Sequence, residues 1–228
     1  MSKDFFDAIR NGDRERVNGM IAADEALLRA KDENGLPPFV VAKYSGRNEI
    51  AALLLDKGVE KGVDLDVFAA CMAGAAERVT ELTNGDRELI KSYSQDGWTP
   101  LHLACFFNQS RIVEMLVRDG FDVHARSRNA MKNAPLHAAA AGRSQESVRI
   151  LIEHGADVNA KQEAGWTALH AASQNGDVEM LRLLIASGAN VHARADNNQN
   201  ALDLALTKGH QAVVEILDVY AASERGAS

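Results

Sequence analysis

Three histidines, His102, His137 and His170, recur at steps of 35 and 33 residues and are the side chains here best suited to holding a metal. A metal site needs several ligands within about 2 Å of one ion. One imidazole per recurring segment, with segments about 10 Å apart as packed helices are, cannot supply that. Two cysteines, Cys71 and Cys105, also occupy equivalent places in successive segments. The same spacing exceeds the ~7 Å Cα separation that a disulfide allows, so both are expected as reduced, small core residues. No HExxH run, phosphate-cradling loop or nucleophile elbow is present. No catalytic residue, metal ligand or cofactor is assigned, and the chain is read as not an enzyme.

Bulk properties narrow the remaining classes. The 228 residues are 46% apolar and 25% charged, a balance suited to folding, with only 5% aromatic residues. A net charge of -7 disfavours nucleic acid and anionic membrane surfaces, both of which reward a basic face. No stretch approaches the ~20 apolar residues that span a bilayer. The first residues carry Asp4 and Asp7 where a secretory leader would be apolar, so a cytoplasmic location is expected. In that setting the glycosylation-like Asn108-Gln109-Ser110 carries no meaning.

The elements that must position any site follow from a repeat. Gly97-Trp98-Thr99-Pro100-Leu101-His102-Leu103-Ala104 returns as Gly165-Trp166-Thr167-Ala168-Leu169-His170-Ala171-Ala172. Anchored on the apolar residue seven positions before a loop residue that is usually Gly, the chain offers Phe5, Phe39, Val67, Leu101, Leu136, Leu169 and Leu202. Their spacings are 34, 28, 34, 35, 33 and 33 residues. Twelve residues after each anchor stand Val17, Ala51, Val79, Val113, Val148, Leu181 and Val214. Fifteen after stand Met20, Leu54, Leu82, Leu116, Leu151, Leu184 and Leu217, and the sixteenth position also admits Thr83 and Asp218. These i, i+3, i+4 triplets mark one face of a second helix in each unit. Thr99, Thr167 and Asn200 are placed to cap first helices, whereas Ala134 cannot. Gly58, Gly120, Gly155 and Gly188 are expected as left-handed ends of second helices.

With Thr99-Pro100-Leu101-His102, Pro135-Leu136-His137, Thr167-Ala168-Leu169-His170 and Gly155-Ala156-Asp157-Val158-Asn159-Ala160 in place, the chain resembles the ankyrin repeat family. The match is best over 95–194 and weakest at Phe5 and Val67. The resemblance implies a mainly α solenoid of helix–turn–helix units with short β-hairpin fingers, about seven repeats here, the first, third and last atypical. It implies a structural role for the recurring histidine at the helix start, and a function of binding other macromolecules without chemistry. A single array over 1–220 is expected, the first two repeats in 1–60 and the remaining five in 61–220. The 28-residue step marks a blunted finger or break near 58–66, and 221–228 is expected to fray. Asp24-x-x-Leu27-Leu28 and Asp86-x-x-Leu89-Ile90, each eleven residues ahead of a Gly at its Asp, make the first two units look like a copy of the third and fourth.

In the family's geometry a partner lies against finger tips and the ends of first helices. That places Leu36, Trp98, Asn133, Trp166 and Gln199 at tips, and Tyr44, Met72, Phe106, Phe107 and Gln174 on the helices. Tyr44, Met72, Trp98, Phe106, Phe107 and Trp166 form an apolar stripe suited to a binding hot spot. Arg126, Arg128 and Lys132, with Arg143 nearby, make a basic finger that an acidic partner would meet. The expected function is a monomeric protein-binding scaffold. An inhibitory or regulatory subunit of one enzyme, a secreted effector that binds a host protein, and a freestanding enzyme are its alternatives.

Overall fold

The computed structural model describes residues 2–225, and the side chains of residues 2–220. The chain divides into two compact units, Met1–Arg78 and Val79–Ser228.

The first unit holds α1 (Ser2–Asn11), α2 (Arg14–Ala23), a 3-10 turn (Glu25–Arg29), α3 (Pro38–Tyr44), α4 (Asn48–Glu60) and α5 (Val67–Ala73). Helix α6 (Ala76–Gly85) runs across the boundary. Helix α1 buries Phe5, Phe6 and Ile9 against α2 and α3, with the two rings edge-on at 5.7 Å. Asp32 braces the loop ahead of α3, its Oδ1 accepting from Asn34 N and Leu36 N while its Oδ2 takes Arg10 at 2.7 Å. Of the glycines expected in a left-handed end, Gly58 is the exception. Helix α4 continues to Glu60, so Gly58 stays helical and Gly62 turns the chain at φ 63°. Val63 N then closes this end onto Gly58 O at 2.8 Å, and α5 begins at Val67.

The second unit continues with a 3-10 turn (Arg87–Lys91), α7 (Pro100–Phe106), α8 (Ser110–Arg118), α9 (Pro135–Ala141), α10 (Gln145–Glu153), a 3-10 turn (Glu163–Gly165), α11 (Ala168–Asn175), α12 (Val178–Ala186), α13 (Ala201–Lys208) and α14 (Gln211–Arg225). Helices α7, α9, α11 and α13 pack side by side in one row, and α8, α10, α12 and α14 in a second. Helices this short are not stable in water alone, so the rows exist because they bury each other. Six of the seven anchors are buried; Leu202, in the last helix pair, is only half-buried. The polar intruder Thr83 is also fully buried, and its hydroxyl donates to Val79 O at 3.0 Å, one turn back. Helix α14 takes in residues 221–225 of the segment expected as a tail, and residues 226–228 lie outside the described residues.

Two local features repeat closely. The residue seven positions after each anchor is left-handed at every copy, at Gly12, Gly46, Gly74, Asn108, Arg143, Gly176 and Gly209. Asp24 and Asp86 each cap a 3-10 turn from the same extended backbone, accepting from Ala26 N at 3.0 Å and Glu88 N at 2.9 Å. The duplicated Asp-x-x-Leu pattern therefore encodes one recurring turn.

The expected β-hairpins are not strands. Among the described residues no β-strand forms. Each finger is instead a turn with one outer backbone rung, Asp32 N to Leu36 O, Ser94 N to Trp98 O, Ser127 N to Asn133 O, Gln162 N to Trp166 O and Ala195 N to Gln199 O, and one bond within the turn, such as Gly35 N to Asp32 O and Gly97 N to Ser94 O. In the second unit successive fingers are linked by lone bonds from Arg128 N to Gly97 O, Glu163 N to Met131 O and Asp196 N to Ala164 O. One rung per finger is too little pairing to make a ladder.

Candidate functional site

The recurring histidines are wired into the backbone. His102 Nε2 lies 2.8 Å from Asn133 O, His137 Nε2 2.9 Å from Ala160 O, and His170 Nε2 3.3 Å from Gln199 O. Each bond joins a first helix to the loop of the following finger. On the other ring nitrogen, His137 Nδ1 accepts from Ala134 N at 3.2 Å, and His170 Nδ1 from Thr167 N at 3.1 Å. Thr99 Oγ1 and Thr167 Oγ1 add contacts to Nδ1 at 2.7 and 2.9 Å. A carbonyl needs a donor, so Nε2 carries the proton and Nδ1 is the acceptor. Burial pushes His102 and His137 down to about 4 and also lowers His170, so all three are neutral near pH 7. Cys71 and Cys105 are likewise buried and not joined in a disulfide, and burial raises the Cys71 thiol. Among the described residues no three His, Cys, Asp or Glu side chains gather as metal ligands would.

Ala134 lacks the hydroxyl that Thr99 and Thr167 bring to the same place, so α9 has the His137 bond to Ala134 N but no cap from its own N-cap side chain. Ala134→Thr is expected to stabilise the protein by about 1 kcal/mol, read as a higher denaturant midpoint with unchanged slope.

The fingers place the expected contact residues differently from one another. Trp98, Asn133, Trp166 and Gln199 close their rungs from the return side, so the tips themselves are residues such as Gln95 and Asp96. Trp98 is half-buried and lies along the finger, 5.5 Å from the His102 ring and 6.0 Å from Phe106. Phe106, 37% exposed at the end of α7, stands 5.2 Å from Phe107 with the rings almost perpendicular. Trp98, Phe106 and Phe107 thus form one connected ring cluster on the second unit. Trp166 makes a separate pair with His170, at 5.7 Å. Gln174 is exposed, Gln199 and Leu36 are half-buried, and Tyr44 is 39% exposed at the end of α3.

Two expected contact residues are not on the surface. Met72 is 2% exposed, its unbranched side chain folded into the packing. Asn133 is 3% exposed, with its Oδ1 taking the Ser127 hydroxyl at 2.6 Å and its N–H donating back to that oxygen at 3.0 Å. It braces the longest finger from inside.

The basic finger is also divided. Lys132 is paired with Glu163 at 3.1 Å, and Arg143 reaches Asn175 O at 2.8 Å. Arg126 donates to Lys132 O and, at 2.7 Å, to Lys161 O. Arg128 lies over the Tyr93 ring at 3.9 Å. Such reaches from a side chain to a carbonyl about one period away recur, as in Arg29 to Lys61 O, Arg87 to Asp119 O, Asn159 to Gly188 O and His210 to Gln174 O. Sequence reasoning also passed over Met131, 54% exposed near the tip of the longest finger. Its signal was available: an apolar residue in an inserted, otherwise polar loop.

Among the described residues no helix is long and apolar enough to cross a membrane. A family model described as ankyrin repeats in three copies matches residues 67–162 and 159–222. The chain is 30% identical over 119 residues to the human transient receptor potential cation channel subfamily A member 1, over 48% of this chain and 10% of the channel. It is 28% identical over 109 residues to ankyrin repeat domain-containing protein SAT10 of Stachybotrys chartarum, over 48% of this chain and 6% of that protein. The matched stretch spans a tenth or less of these relatives' lengths. With paired short helices, turn-like fingers and a histidine tie at the start of successive first helices beside that match, the chain belongs to the ankyrin repeat family.

Proposed function

We propose that this chain is a non-catalytic scaffold that holds a protein partner on its finger side, with Trp98, Phe106 and Phe107 at the centre of the contact. Ankyrin repeats generally mediate protein–protein interaction. The observation that carries the finer reading is the ring cluster, in which the half-buried Trp98 meets the exposed Phe106. Rings of this kind bury ~150–250 Å² each and dominate binding hot spots. A surface already held by histidine ties and finger rungs loses little freedom when a partner arrives. The recurrence of anchor and left-handed loop supports seven two-helix units, and the net charge of -7 supports a monomer.

The test compares affinity capture by the native chain with capture by the Trp98→Ala/Phe106→Ala variant. Loss of the retained protein, with helical circular dichroism unchanged, is the expected result. Equal capture by both would reject the ring cluster as the contact.

A further inference from the structure

Several cations of this protein are paired with carboxylates. Arg10 meets Asp32, Lys61 meets Glu25, Arg118 meets Glu114, Lys132 meets Glu163 and Arg194 meets Asp203. One concavity on the second unit departs from this. It has a volume of about 350 Å³ and is lined by Lys91, Tyr93, His124, Arg126 and Arg128, with Asp122 the one acid among its lining residues. Lys91, Arg126 and Arg128 make no ion pair with a carboxylate among the described residues, and all three are exposed. The Asp122 carboxylate is engaged locally, accepting from His124 N at 2.8 Å.

The concavity is also held in shape. The two carbonyl bonds of Arg126 use one guanidinium nitrogen, Nη1, and fix that side chain between consecutive fingers. Arg128 rests one face on Tyr93, which leaves the edge of its guanidinium toward solvent. Planar guanidinium edges take carboxylates in a two-pronged fashion. The cluster is compact and sits on a chain with a net charge of -7. An extended polyanion such as nucleic acid would be repelled beyond the pocket, whereas a short acidic segment matches it.

We infer that the concavity between Lys91 and Arg128 receives an acidic segment of the protein partner, its Glu or Asp carboxylates seated on Arg128, Lys91 and the free edge of Arg126. This deepens the scaffold reading and rests on it, adding the charge of the partner to the rings that hold it. It also corrects the basic finger, since Lys132 and Arg143 are occupied elsewhere while Lys91 joins from the preceding turn.

The experiment is fluorescence anisotropy with a labelled hexaglutamate peptide at 0.15 M salt, against hexaglutamine and a thymidine hexanucleotide. Saturable binding of hexaglutamate that weakens roughly tenfold in Lys91→Glu/Arg128→Glu is the expected result, with affinity falling as salt rises. Both side chains are exposed, and unchanged circular dichroism confirms that the variant folds. No saturable binding, equal affinity for hexaglutamine, indifference to the charge reversal, or tighter binding of the hexanucleotide would each overturn the inference. The Trp98→Ala/Phe106→Ala variant keeps its peptide affinity if the pocket acts as inferred, so failure of the ring cluster and failure of the pocket are separable.

Discussion

Gly142→Ala is expected to cost far more stability than Gly188→Ala. A Cβ at Gly142 would overlap the Phe106 carbonyl oxygen and lie 2.7 Å from its carbon and 2.8 Å from its Cα. These are backbone atoms, so no side chain can swing aside. Gly142 has an ordinary φ of -78°, and the cost is therefore contact rather than torsion. Helix α9 would have to move off α7, opening a row whose residues Leu101, Leu103 and Leu136 are at most 1% exposed. Overpacking of this kind costs ~1–3 kcal/mol and more where backbone must move, so a loss of about 3 kcal/mol is expected. For a chain of this size that is a fall of roughly 6–12 °C in Tm. Gly188→Ala is the control. Its φ of 89° brings left-handed strain of about 1 kcal/mol, but nothing lies within 4 Å of the added carbon. A Gly142→Ala protein as stable as the Gly188→Ala one would rule out so close an approach of the two helices.

Acidification to pH 5 is expected to weaken the fold well before carboxylates titrate. His102 and His137 are held at about 4, against 6.5 in the unfolded chain. Burial is the main cause, and the nearby Arg126 charge adds to it at both rings. A group with a lowered folded pKa binds more protons when unfolded, so stability rises with pH through this window. The stabilising contribution is complete above about 6.5 and is lost as pH falls toward 4. At pH 5 the loss amounts to about 2 kcal/mol for each of the two histidines, and His170 acts in the same direction. Protonation also converts Nδ1 from acceptor to donor, which cancels the bonds from Ala134 N and Thr167 N. Denaturant midpoints at pH 7 and pH 5 measure the effect. A His102→Gln/His137→Gln protein should start less stable at pH 7 and show a shallower dependence. An equally steep one would assign the acid sensitivity to other groups.

The helical framework was legible because its signal is redundant. A register such as Val79, Val113, Val148 and Leu181, repeated in phase, survives the loss of any one copy. The fingers were not, because a single rung leaves no alternating pattern to read. The tip was placed at least two residues too late, since Trp98 closes the turn that Ser94 begins and Gln95 and Asp96 form its tip. Asn133 occupies the same structural place as Trp98, yet its short amide folds back onto Ser127, which no periodicity encodes. Gly58 misled for the converse reason: a glycine near a helix end is equally compatible with one more helical turn, and α4 takes it. The basic residues Arg126, Arg128, Lys132 and Arg143 were seen as one group, but carbonyls about one period away divide them. Backbone acceptors have no letter in a sequence.

Those reaches set the grain along which this protein can be edited. Arg87 to Asp119, Arg126 to Lys161, Arg143 to Asn175 and His210 to Gln174 each extend 32 to 36 residues. Excising one full module would let every flanking hook find an equivalent eye on the new neighbour, as in other nearest-neighbour arrays. Excising half of one would strand hooks on one side and eyes on the other, so recombination between paralogous genes would be tolerated at whole-module seams.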